Sequence, residues 1–223
     1  MERQTLLNKS EVSERPQSLG EEIANTVSHG VGLAAALIGA SFLVMTAVQR
    51  GSVNFIAGAC IFAATMVLLY LASTLYHAPL MRRAKSILLV CDHAVIYLFI
   101  AGTYTPFTLG VLRGAWGWLL FGLVWGLAVA GVTFKVIAGA VRYPRLSTSI
   151  YLGMGWIFLV AAIPLWQRLS LAGLLWILAG GMAYTVGVGF FVAHKIRYNH
   201  LVWHLFVLAG TACHFVAVLR YAG

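Results

Sequence analysis

Seven runs of predominantly apolar residues divide most of this chain, each close to the ~20 residues an α-helix needs to cross a bilayer. They extend approximately from Ala24 to Val48, Val53 to Tyr76, Ile87 to Phe107, Ala115 to Phe134, Ser147 to Trp166, Leu171 to Ala193 and Asn199 to Tyr221. The connections between them are short and leave no room for an inserted soluble domain. The fold class that follows is all-α: a polytopic membrane protein built as a seven-transmembrane helix bundle. Residues 1–20 are expected to form a cytoplasmic N-terminal tail and residues 21–223 one membrane domain. That tail is polar and mixed in charge, without the apolar core of a cleaved signal peptide. With 61% hydrophobic and 9% charged residues, the chain has too little polar surface for the amphipathic exterior of a water-soluble domain.

The positions of the basic residues carry the orientation. A net charge of +9 would suggest a nucleic-acid partner in a soluble protein, but here Lys and Arg fall in the gaps between apolar runs, so no nucleic-acid binding is expected. Counted on alternate sides of seven spans, 11 lie with the N-terminus, among them Arg3, Lys9, Arg15, Arg82, Arg83 and Lys85. Only 4 lie on the other side, namely Arg50, Arg113, Arg168 and Arg220. The positive-inside rule then places the N-terminus in the cytoplasm and the C-terminus outside, which requires an odd number of spans. Cys60, Cys91 and Cys213 all lie within apolar runs, show no C-x-x-C spacing and are expected to pack as small core hydrophobes. All four lysines fall in the tail or at loop ends, so no interior amine is available for a retinal Schiff base.

Asp92 is the only carboxylate after Glu22, and it sits near the start of the third apolar run. An ionisable group in a membrane helix costs ~3 kcal/mol or more at mid-bilayer and is a functional-site hypothesis by default. The seven-span topology places His77, Asp92, His200 and His204 together at the cytoplasmic end of the bundle. His200 and His204 are four residues apart, so both imidazoles stand on one helix face and can reach one ion. His77 supplies a third nitrogen. Three histidines leave the fourth position of a zinc ion to water, and neutral imidazoles suit zinc without thiolates. Asp92 would accept a hydrogen bond from that water and take its proton. Ser73, one turn before His77, could bond a ligand, the water or a substrate oxygen, or merely return its hydroxyl to a helix carbonyl.

The other histidines fit that centre less well. His214 lies ~15 Å beyond His204 along the helix, too far for the same ion. His93 and Cys91 diverge from Asp92 by about 100° around the helix, and His194 belongs to a loop. His29 is less easily set aside, because Glu22, Asn25 and His29 recur at helical spacing where the first helix begins. Glu22 and Asn25 could equally be solvated or capping residues.

Taken together, Glu22-x2-Asn25-x3-His29, Ser73-x3-His77 with Asp92, and His200-x3-His204 resemble the three motifs of the progestin and adipoQ receptor (PAQR) family. The phrases ASTLYH (72–77), GTYTPF (102–107) and NHLVWH (199–204) are similar to its bacterial haemolysin III branch. The resemblance covers essentially everything after residue 20. It implies seven helices with a cytoplasmic N-terminus in the bacterial cytoplasmic (inner) membrane, and zinc held by His77, His200 and His204 with Asp92 and Ser73 beside the water. It also implies a ceramidase-like zinc-dependent hydrolase acting on lipid amides or esters in membrane lipid homeostasis, with membrane lipids as partners or substrates. A non-catalytic sensor of membrane state, with the same zinc in a structural role, is the alternative. A pore-forming cytolysin ranks lowest, because a conducting path usually needs polar groups spread through the membrane depth. The chain lacks the long soluble domains of animal receptors of this kind, which argues against a hormone-receptor role.

Overall fold

A computed structural model of the chain describes residues 16–78, 82–140 and 142–223, with only the backbone described at 82 and 83. Arg3, Lys9, Arg15 and the rest of the tail up to residue 15 lie outside the described residues. The helices are α1 (Leu19–Arg50), α2 (Val53–His77), α3 (Arg82–Leu109), α4 (Ala115–Ala138), α5 (Pro144–Trp156), α6 (Ala162–Arg168), α7 (Leu171–Phe191) and α8 (Asn199–Tyr221). A 3-10 turn over Ile157–Ala161 joins α5 to α6, so the pair makes one span. Among the described residues there is no strand, and seven segments are long and apolar enough to cross a bilayer. The expected all-α seven-span bundle is the fold.

Each helix shows which side faces lipid. Along α1 the buried positions are Glu21, Asn25, His29, Gly32, Ala36, Leu43 and Ala47, a single stripe at spacings of three, four and seven residues. Val31, Ile38, Phe42 and Met45 of the same helix are exposed, as are Ile137 and Ile163 elsewhere. An outward surface of this kind would be untenable in water but is the natural solvent boundary in lipid. Inside, Leu43, Phe55, Phe62, Phe99, Leu120 and Val218 belong to one buried cluster that fills the bundle. Short connections make successive helices antiparallel neighbours. Thus α1 packs on α2, α2 on α3, α3 on α4 and α7 on α8, while α8 returns to α1 and closes the ring.

Local chemistry explains where two elements depart from the expected boundaries. The first helix starts at Leu19, about a turn earlier than its apolar run, because Ser18 and Glu21 form a capping box. The fifth span breaks because Pro164 has no N–H to give the Val160 carbonyl, and its ring collides with that carbonyl. Tyr104 from α3 meets the break. Its hydroxyl donates to the Met154 or Gly155 carbonyl (2.8 and 2.9 Å) and accepts from the Phe158 N–H (3.0 Å). Gly102, two residues earlier, is needed in a different sense, since a Cβ there would overlap the Thr65 hydroxyl where α2 crosses α3.

Candidate metal centre

The antiparallel ring brings the end of α2, the first turns of α1 and α8, and the third turn of α3 to one level. Glu21 fixes that level between the first and last spans: its carboxylate accepts from the Tyr198 N–H at 2.9 Å, just before α8 begins. Tyr198 itself has a left-handed backbone, φ 58°, uncommon for a bulky residue and placing this N–H at the mouth of the helix. Around this level His77, His200 and His204 each offer one nitrogen, all within 4.8 Å of one another. His77 and His204 are buried and His200 partly so. The structure thus gathers the three histidines expected from the sequence, from two helices that are far apart in the chain.

Their orientation suits a cation. The Nε2 atoms of His77 and His200 lie 3.2 Å apart, close to the ~3.3 Å that separates two nitrogens bound at ~2.05 Å to a tetrahedral zinc. His204 turns its Nδ1 to the Ser28 hydroxyl at 3.0 Å, which leaves Nε2 for the cluster. His77 turns its Nδ1 to a Glu22 carboxylate oxygen at 2.8 Å. Two of the three rings therefore have the outer hydrogen-bond partner that metal-bound histidines nearly always show. Around them are further polar atoms for which the described residues supply no partner: Asn25 Oδ1, His29 Nδ1 and His29 Nε2. Buried polar groups are rarely left unmatched, so this layer is built to hold something polar. The donor set fits a metal ion. His29 is not one of the three converging ligands. Its ring lies flat against that of His204, with centroids 3.5 Å apart and planes 9° from parallel.

Asp92 approaches from α3, where its carboxylate interacts with Ser73 and, electrostatically, with His77 and His93. Ser73 is buried and faces the acid, whereas its neighbour Thr74 is the residue that returns its hydroxyl to a helix carbonyl, that of Tyr70. His93 bonds its own helix at the Leu89 carbonyl, away from the cluster. His214 lies outside the centre too, bonded to the Ile177 carbonyl at 3.1 Å, and lines a separate cavity of about 50 Å³ with Thr103, Tyr104 and Thr108. The three cysteines are unpaired, but Cys60 and Cys91 lie exposed on the outward faces of their helices and not in the core as expected, since which face of a helix points inward depends on its rotation against its neighbours.

Two placements were not foreseen from sequence. Glu22 is neither solvated nor a cap, since the capping role falls to Glu21 and Ser18. Its carboxylate joins His77 to Lys85, whose ammonium lies 2.5 Å away. The spacing of Glu22, Asn25 and His29 on one face was the available signal, but only the neighbouring helices show what that face meets. Lys135 is the other case. It ends α4 with a buried side chain folded onto the Ala140 carbonyl at 2.6 Å, where a lysine at a loop end and no interior amine were expected.

A family model described as Haemolysin-III related matches residues 17–215. Hemolysin-3 homolog of Bacillus subtilis (strain 168) is 44% identical over 204 residues, which are 92% of this chain and 95% of that protein. Hemolysin-3 of Bacillus cereus is 41% identical over 205 residues, 92% of this chain and 93% of its own. More distant is the human Monocyte to macrophage differentiation factor, 30% identical over 173 residues, 73% of this chain and 69% of its own.

Proposed function

The chain belongs to the haemolysin-III-related family of multi-pass membrane proteins, and on that footing we propose that it is a zinc-dependent hydrolase of a membrane-lipid amide or ester. One observation carries this proposal: three converging imidazoles beside an acid that has a hydroxyl of its own to hold it. A zinc ion held by His77, His200 and His204 would polarise the scissile carbonyl and make water a stronger nucleophile near neutral pH. Asp92 takes the proton of the attacking water as the new C–O bond forms. It returns that proton to the amine or alcohol as the old C–N or C–O bond breaks. Ser73 fixes the carboxylate for both transfers. Because the positive-inside count puts this end of the bundle in the cytoplasm of a bacterial cell, the product would leave on the cytoplasmic side of the inner membrane.

A structural role for the same ion is the second reading. It is favoured by one feature, that the ligands come from α2 and α8, which both pack against α1, so an ion would clasp the ring shut. The test is a single variant. Purified full-length protein should carry about one zinc per chain, as a three-histidine site implies. It should also hydrolyse a member of a panel of N-acyl and O-acyl lipids. Asp92→Asn should keep the zinc and lower that hydrolysis by about 10²- to 10⁴-fold, the range for a lost general base. Full zinc with no hydrolysis of any lipid in the wild type would leave the structural role standing.

A further inference from the structure

Glu22 is hydrogen-bonded to a candidate ligand, and its two oxygens go to different helices. Oε2 is 2.8 Å from His77 Nδ1 on α2, and Oε1 is 2.5 Å from Lys85 Nζ on α3. The Lys85 side chain is 35% exposed, with its ammonium 5.4 Å from the centre of the Tyr76 ring. The neighbouring Glu21 is fully occupied at the helix start, accepting from Ser18 and from the Tyr198 N–H. Glu22, about 100° further round α1, is thereby free to turn inward.

The consequence is a choice between two forms of one ring. A neutral imidazole carries its proton on either Nδ1 or Nε2, and only the unprotonated nitrogen can bind a metal. An ionised carboxylate accepts hydrogen bonds and donates none. With Glu22 against Nδ1, the proton of His77 resides there, and the lone pair belongs to Nε2. That is the atom 3.2 Å from His200 Nε2, at the heart of the cluster. Remove the carboxylate and the ring is free to hold its proton on Nε2, where it would block the position. Lys85 has a separate task. Its positive charge lets an anion persist in a partly buried layer, and its bond to Oε1 stops the carboxylate from rotating away.

We propose that Glu22 is the positioning residue that makes His77 a metal ligand, with Lys85 as the anchor of its carboxylate. The inference rests on the metal-centre reading above, but it concerns affinity for the ion and stands apart from turnover. Loss of such an outer partner typically weakens metal binding by about 10- to 100-fold.

The experiment uses detergent-solubilised full-length protein, stripped with chelator and titrated with Zn²⁺ against a chromophoric competitor. Co²⁺ serves in parallel as a spectroscopic probe of the ligand set. Glu22→Leu should weaken both ions by about 10- to 100-fold. Glu22→Gln, whose amide oxygen can still accept from Nδ1, should recover part of that loss. Lys85→Met should fall between Glu22→Gln and the wild type. The metal-free forms of all three should unfold at temperatures close to that of the wild type. Unchanged affinity in Glu22→Leu would overturn the inference while leaving the zinc hydrolase reading intact. A lower unfolding temperature of the metal-free protein with unchanged affinity would make Glu22 a helix clamp and overturn it as well. If Glu22→Leu does not fold, Glu22→Gln and Lys85→Met carry the same test at smaller amplitude. A wild-type protein that binds neither ion would sink the metal-centre reading and this inference with it.

Discussion

At the scale of single residues, the candidate centre depends on groups that are costly anywhere else in a bilayer. Burying an imidazole or a carboxylate without partners is unfavourable by several kcal/mol, so such groups collect where they satisfy one another. This is why His77, Asp92, His200 and His204 could be singled out from sequence: they are rare residue types in apolar runs, and topology gives each a depth. Glu22 escaped because a carboxylate in the first turn of a helix has an ordinary explanation as a cap, and what it faces depends on helices 55 and 63 residues away. Two predictions belong here. The His77→Ala, His204→Ala double variant should lose nearly all bound zinc by elemental analysis, and stoichiometric zinc in it would show that other residues hold the ion. Ser73→Ala should retain zinc yet lower kcat by roughly 10- to 100-fold, the equivalent of the 1.5–3 kcal/mol hydrogen bond to a charged group. Ser73→Thr should restore much of that rate in the same lipid assay.

At the scale of elements, the spans were legible to within about a turn, since length and hydropathy decide what can cross a bilayer. The departures have local causes. The capping box at Ser18 and Glu21 extends α1 into sequence that is polar, which hydropathy alone assigns to the tail. Pro164 disrupts the fifth span, and the sequence does not reveal that Tyr104 bonds the backbone of Met154, Gly155 and Phe158 where the 3-10 turn begins. Tyr104→Phe should therefore lower stability by about 1–3 kcal/mol, the cost of leaving buried carbonyl or N–H groups unmatched. Thermal unfolding in detergent would show it as a reduced Tm. Zinc content should be unaffected, because the break lies towards the end of the bundle opposite the histidines. A Tyr104→Phe protein as stable as the wild type would mean that the 3-10 turn satisfies itself.

At the scale of the whole molecule, the chain is a ring of helices with a packed apolar interior, lipid-facing apolar flanks and one polar end. Trp116, Trp118 and Trp166 are exposed at the opposite end, in keeping with their expected place at a membrane interface. The 11-to-4 distribution of Lys and Arg predicts that a reporter fused near residue 10 reads cytoplasmic and one fused at residue 223 reads external. Both reporters on one side would contradict an odd number of spans in the membrane. By itself the sequence determined the number of spans, the helical class and the common depth of the rare polar residues, because these follow from the thickness of the bilayer and the rise of a helix. The tertiary structure decided which polar groups actually meet: His77 with Glu22, Glu22 with Lys85, His29 with His204. Those pairings depend on how each helix is rotated about its axis and which neighbour it packs against, and that is set by the fit of side chains such as Tyr70 against Gly32, information spread over helices distant in the chain.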